Sequence, residues 1–213
     1  MEQTSITAQG VIDTFLVLLI GIGPKIALVP FLQVTASLDT ATKRQVQRKM
    51  LTTAATVAFA LIVFGEFLRV LLHFTVGSLS IAGGVILLVL AIEMVLGKPN
   101  SGDQPTAGKD PMQLAQFPLA VPYLLNPVGI VGLVTISAET KSLGVLAVMV
   151  AILVVVLLLD VVVFRWANRV SARLDENRML VTEKVFGFLI AAIAVQLVLD
   201  GLVSVGVIAP NNH

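Results

Sequence analysis

Six apolar runs, each long enough to cross a lipid bilayer, leave this chain few folds to choose from. They cover residues 11–34, 50–73, 77–97, 115–138, 143–166 and 184–208, and each is bounded by charged or turn-forming residues. A hydrocarbon layer about 30 Å thick is crossed by about 20 helical residues or by a tilted barrel strand of about 10. The runs are built of Val, Leu, Ile and Ala without strict alternation, and in lipid every backbone N–H and C=O must be satisfied internally, so helices fit and barrel strands do not. The expected fold is an all-α polytopic membrane protein of six transmembrane helices. Composition agrees: 57% of residues are hydrophobic and 13% charged, against about 25% charged in soluble domains.

Composition also removes whole classes of chemistry. The chain has no cysteine, which excludes disulfides, thiolate metal sites and thiol nucleophiles. His73 and His213 are its two histidines, too few for a His-based metal centre or a Ser/His/Asp triad of the usual kind. No catalytic residue, metal or cofactor is expected, and the protein reads as a non-enzyme. A net charge of +1 gives no reason to invoke nucleic acid, which needs a clustered basic surface. The opening MEQTSITAQG has no Lys or Arg before its apolar run, so a retained span is expected there instead of a cleaved signal.

Basic residues near span ends set the expected orientation. Lys43, Arg44, Arg48 and Lys49, then Lys98 and Lys109, then Arg165, Arg169, Arg173, Arg178 and Lys184 fall in three connections that share one side of a six-span chain. That side should be cytoplasmic, with both termini on the non-cytoplasmic side of the cytoplasmic (inner) membrane. Residues 98–114 are rich in Pro, Gly and polar side chains and read as a flexible cytoplasmic linker. It divides the chain into a first three-helix repeat, 1–97, and a second, 115–213. Segment 165–184 mixes Arg, Asp and Glu and fits a short interfacial helix in contact with solvent and lipid headgroups.

The halves align at an offset near 103, and what matches is the helix-breaking residues. Gly23, Pro24 and Lys25 in the first span fall opposite Asn126, Pro127 and Val128 in the fourth, followed by Gly129. An odd number of spans per half makes the repeats inverted, and interruptions at corresponding places point to a transporter site near the midplane. Asn126 before Pro127 is a helix-start signal, since Asn caps free N–H groups and Pro lacks the donor orphaned there. If both spans break, two partly positive helix starts approach the bilayer centre and suit an anionic group. A pair of simple proline kinks is the plainer alternative.

Ionisable groups within spans need a partner, a cavity or a route to the interface. Lys25, Asp160 and Glu93 lie about 13, 9 and 6 Å from the cytoplasmic ends of their spans, which makes them a candidate inner cluster. Glu66 and Asp200 lie about 10 and 12 Å from the outer ends, with Glu66 and Arg69 at a spacing that lets them neutralise each other. Gln196, near the middle of the sixth span, is a candidate to donate to a solute or to bridge helices. Gly83, Gly84, Gly187 and Gly201 read as helix-packing positions.

At LSIAGGVILLVLAIEMVLG (79–97), FPLAVPYLLNPVGI (117–130) and VFGFLIAAIAVQLVLDGL (185–202) the chain resembles the MarC family of integral membrane proteins, a six-span group also classed as neutral amino acid transporters. The likeness extends over nearly the whole chain and implies the fold and a transport function. Asn126-Pro127-Val128-Gly129 and Gly23-Pro24-Lys25 depart from the Gly-Pro-Gly and Asp-Pro or Asn-Pro runs of many relatives, so the solute is not carried over. The expectation is a secondary transporter of a small polar solute, such as an amino acid, coupled to H+ or Na+. Gly23, Pro24, Lys25, Asn126, Pro127, Gly129 and Gln196 are the candidate solute-binding residues; Glu66, Glu93, Asp160 and Asp200 are the candidate ion-coupling or buried charges. The lipid bilayer is the expected partner, and the sequence leaves the oligomeric state open. A non-transporting scaffold or regulatory protein is the alternative, and an intramembrane carboxylate enzyme is the weakest reading.

Overall fold

A computed structural model describes residues 8–97, 110–140, 142–170 and 176–209. Among them the chain is all helical. In order come α1 (Ala8–Gly21), α2 (Pro24–Thr35), α3 (Thr40–Leu71), α4 (Val76–Leu96), α5 (Pro111–Leu114), an irregular helical segment Ala115–Leu124, α6 (Pro127–Glu139), α7 (Leu143–Val170) and α8 (Glu176–Ser204). Four of these, α3, α4, α7 and α8, are long and apolar enough to cross a membrane on their own, whereas Ala8–Gly21 and Pro127–Glu139 are shorter apolar helices. The first and fourth apolar runs are therefore each divided in two.

Local sequence explains the divisions. Gly23 is extended and Pro24 opens α2; Asn126 is extended and Pro127 opens α6. Proline at the first helical position removes a donor that would be orphaned there, and it disfavours the α conformation for the residue before it. The same rule makes the segment before α6 irregular: Phe117 and Val121 have extended backbone, each preceding a proline in a cis peptide. Neither broken run folds back as a hairpin. α1 packs on α6 and α7, and α2 packs on the irregular segment, α7 and α8.

The long helices extend past the apolar runs. α3 begins at Thr40, capped by the Asp39 side chain, which accepts from the N–H groups of Ala41 and Thr42. Its 32 residues span about 48 Å, so its basic first third projects beyond a hydrocarbon layer of about 30 Å. Segment 165–184, expected as a separate interfacial helix, is instead mostly the continuation of α7 to Val170 and the start of α8 at Glu176. Polar residues end a lipid-facing run, but they do not end a helix. Residues 111–114, expected within the linker, form α5 under an Asp110 cap. The rest of that expectation, at 98–109, and the sidedness of both ends, at 1–7 and 210–213, lie outside the described residues.

α6 sits at the centre, with Gly129, Val131, Gly132, Leu133, Val134, Ile136 and Ser137 all buried. Ser137 joins it to α3, its Oγ accepting the Glu66 backbone N–H at 2.9 Å. α4 and α8 pack along most of their length. Small residues allow this: a Cβ on Gly84 would meet the Ala194 carbonyl at 2.7 Å, and one on Gly201 would meet the Gly77 carbonyl at 2.7 Å.

Candidate functional site

The two breaks meet. Ile22 and Leu125 form an isolated antiparallel bridge. Gly23 N–H donates to the Leu124 carbonyl at 3.2 Å, and Asn126 N–H donates to the Gly21 carbonyl at 3.0 Å. Each partner lies 103 residues from its counterpart, so the shift that aligns the halves exchanges one bond for the other. The starts of α2 and α3, at Pro24 and Thr40, recur at Pro127 and Leu143 at the same spacing. Unwound backbone, which lipid alone cannot satisfy, is satisfied here by a second unwound segment.

Asn126 secures the crossing from both sides. Its Oδ1 accepts the Gly129 N–H at 3.2 Å, and its Nδ2 donates to the Ile20 carbonyl at 2.9 Å. Gly21 and Gly129 are in close backbone approach: a Cβ on Gly129 would lie 2.7 Å from the Gly21 carbonyl carbon and 3.1 Å from its Cα. The start of α6 is thus closed, with Asn126, Pro127 and Gly129 buried. The start of α2 differs, because Gly23 is buried but provides no side-chain cap. Lys25, in its first turn, is exposed and has no ion-pair or hydrogen-bond partner among the described residues.

Asp160 is fully buried on α7, and among the described residues neither carboxylate oxygen has a hydrogen-bond partner. Val156 and Phe164, one turn to either side, are also at 0% exposure. The Phe164 ring stands edge-on to Phe31 of α2 at 5.1 Å. Val11, Ile12 and Phe15 of α1 line one apolar pocket with Val148, Ile152 and Val155 of α7, and because Phe31 meets Phe164 further along both, the first broken run and α7 run in the same direction. One helical turn back from the ring pair, Asp160 on α7 and Ala27 on α2 stand at about the same level along their helices. A carboxylate removed from water and from partners is among the most costly groups a membrane helix can carry.

The other expected residues are not gathered here. Lys25, Glu93 and Asp160 do not form an inner ion-paired cluster; among the described residues the ion pair is Glu66 with Arg69, at 2.6 Å. That pair closes on itself within α3 through two bonds, from Arg69 Nε and Nη2. Glu93 is half-buried on α4. Gln196 donates to Asp200 at 2.8 Å, and both are exposed on α8. Helical phase is the reason: the buried stripe of α8 runs through Gly187, Ile190, Ala194 and Gly201, and Leu197, not Gln196, approaches Pro127 beside Gly83. Sequence reading missed the Ile20, Leu124 and Leu125 backbone groups that complete the crossing. The Gly21–Gly129 approach had one available signal, a glycine beside each break.

Comparison with known proteins places the chain among integral membrane proteins. The MarC family profile, described as MarC family integral membrane protein, matches residues 8–205. Over 177 residues the chain is 23% identical to the UPF0056 membrane protein YvbG of Bacillus subtilis, covering 81% of this chain and 84% of that one. It is 26% identical over 178 residues to the UPF0056 inner membrane protein YhgN of Escherichia coli K12, with 81% and 85% covered. A UPF0056 membrane protein of Pyrococcus horikoshii is 26% identical over 198 residues, with 90% and 95% covered. No solved structure matches. With a profile match over almost its whole length and relatives aligned nearly end to end, this chain belongs to the MarC family of integral membrane proteins.

Proposed function

We propose that the protein is a secondary carrier of a small polar solute, an amino acid being the leading class, driven by a proton or sodium gradient and built from two inverted three-helix halves. The observation that carries this reading is Asp160, a buried carboxylate with no hydrogen-bond partner among the described residues, on α7, which packs on both halves of the first broken span. A packed scaffold has no use for so costly a group, whereas a carrier uses it to take and release a cation. The matched breaks support the inverted arrangement, because interrupted helices at corresponding places characterise such carriers.

In this reading the uncapped start of α2 and the Lys25 ammonium receive the carboxylate of the solute. Asp160 binds the coupling ion, and neutralising it favours a second packing of α7 against α2. The glycine contact at the crossing is the pivot about which the halves rock. The basic ends of α3 and α7 face the cytoplasm by the charge rule, both chain ends lie opposite, and the Escherichia coli relative's inner-membrane description supports that membrane for this chain. A scaffold role is the second reading, favoured by the closed Gly21–Gly129 contact.

Proteoliposomes carrying the purified protein test the proposal. Uptake of labelled amino acids and small carboxylates is measured under imposed proton and sodium gradients, with Lys25→Ala in parallel. Gradient-dependent uptake that the variant loses while still inserting normally is the expected result. Normal uptake by the variant removes Lys25 from the site, and no uptake of any solute by folded protein favours the scaffold.

A further inference from the structure

A concave site lies where the first third of α3 meets the end of α7. The groove encloses about 970 Å³ and is lined by Lys43, Arg44 and Arg48 from α3 and by Arg165 and Arg169 from α7. Five cations converge from two helices separated by more than 100 residues of chain, and none of them is ion-paired among the described residues. The one acid in the lining, Asp39, is committed elsewhere: its carboxylate caps α3 through Ala41 N–H, Thr42 N–H and the Thr42 hydroxyl. Gln47, only 6% exposed, accepts from Asn168 Nδ2 at 2.7 Å and ties the two helices together beneath the cations.

The position of the groove narrows its ligand. α3 outlasts the hydrocarbon layer by about 18 Å, so its first third stands at headgroup depth. Guanidinium forks match phosphate oxygens bidentately. Leu38, Leu51 and Val161 complete the lining with apolar wall, which a free phosphate ion has no need of and the glycerol and first acyl carbons of a lipid do. We propose that this groove binds the head group of an anionic glycerophospholipid, its phosphate held between Arg48, Arg165 and Arg169 and its acyl chains descending along α3 and α7. Lipid held there links the end of α7, the helix that carries Asp160, to α3. The site does not depend on the transport reading.

The test is native mass spectrometry of the full-length protein in detergent, titrated with dioleoylphosphatidylglycerol or dioleoylphosphatidylcholine. The wild type is compared with Arg165→Gln/Arg169→Gln and with a charge-matched control, Lys49→Gln/Lys184→Gln, whose residues lie outside the lining. The expected result is a first phosphatidylglycerol bound at least about tenfold more tightly than phosphatidylcholine, a preference lost in the arginine variant and kept in the control. Equal affinity of wild type for the two lipids, or equal losses in both variants, overturns the site and leaves only diffuse attraction. Inorganic phosphate added in excess leaves the lipid bound if the apolar wall contributes; complete displacement by phosphate overturns the lipid assignment. The wild-type comparison of the two lipids requires no variant to fold.

Discussion

Substituting Gly129 by alanine tests the crossing of the two breaks. The new methyl would lie 2.7 Å from the Gly21 carbonyl carbon and 3.1 Å from its Cα. These are backbone atoms of a buried segment, so neither can rotate aside. Forcing a methyl into a packed interior costs about 1–3 kcal/mol. Separating the breaks also strains three bonds, Gly23 to Leu124, Asn126 to Gly21 and Asn126 to Ile20, each contributing about 1 kcal/mol. Alanine returns up to about 1 kcal/mol through its greater helix propensity. The net expected loss is about 3–5 kcal/mol, read as a lowered midpoint in denaturant titration of the protein in mixed micelles. Gly144→Ala is the control, since among the described residues the nearest atom outside its own helix backbone and chain neighbours is Ser142 Oγ, at 3.9 Å from the new methyl. A Gly129→Ala protein within about 0.5 kcal/mol of wild type, the range of neutral surface changes, refutes the close approach.

Four further outcomes follow from the same contacts. Asn126→Ala loses the Gly129 cap and the bond to Ile20, a loss of about 2–3 kcal/mol in the same titration, and Asn126→Ser, which keeps a capping oxygen, recovers about half. Gly84→Ala brings a methyl to 2.7 Å from the Ala194 carbonyl and lowers the midpoint through α4 and α8, by about 1–3 kcal/mol. Asp160→Leu unfolds at equal or higher denaturant than wild type, because it removes an uncompensated buried carboxylate; a lower midpoint contradicts the isolation of that group. The Thr42 hydroxyl, then the Thr42 and Ala41 N–H groups, hold the Asp39 carboxyl below its usual range. A depressed native value means the cap is intact above the unfolded value of about 3.9 and is lost as pH falls through the native one. Amide-exchange protection at Ala41 and Thr42, corrected for intrinsic rates, should fall in that acid window, and protection that stays flat contradicts the cap.

Features written in a few adjacent residues were legible from sequence. Gly23-Pro24 and Asn126-Pro127 announced both breaks because capping and proline chemistry act within one turn. Their matched spacing pointed to a common centre. Helix ends were harder: hydropathy marks where lipid stops, so the charged first third of α3 and the first turns of α8 read as connections although their backbones are helical. Pro118 and Pro122 sat in a recognisable motif, yet the extended residues before them follow from a rule that an apolar run conceals. Depth singled out Lys25, Asp160 and Gln196 alike, but depth carries no rotational phase. Packing turned Asp160 inward, left Lys25 exposed at the start of α2 and set Gln196 on the outer face with Asp200. The Asn126–Ile20 bond and the α3–α7 groove join residues more than 100 positions apart, beyond the reach of any local pattern.

In the proposed carrier, Asp160 is the group that couples ion to solute. Proteoliposomes loaded with a pH indicator, held at a fixed potassium diffusion potential and exposed in turn to a panel of amino acids and small carboxylates, test this directly. The measurement is repeated with sodium present and absent and with Asp160→Asn, an uncharged side chain of nearly the same shape. The account predicts a lumenal pH change or a sodium-dependent uptake that requires a particular solute in the wild type and is absent from the variant, with the variant as stable as the wild type. Solute-coupled ion movement of equal size in Asp160→Asn would contradict it.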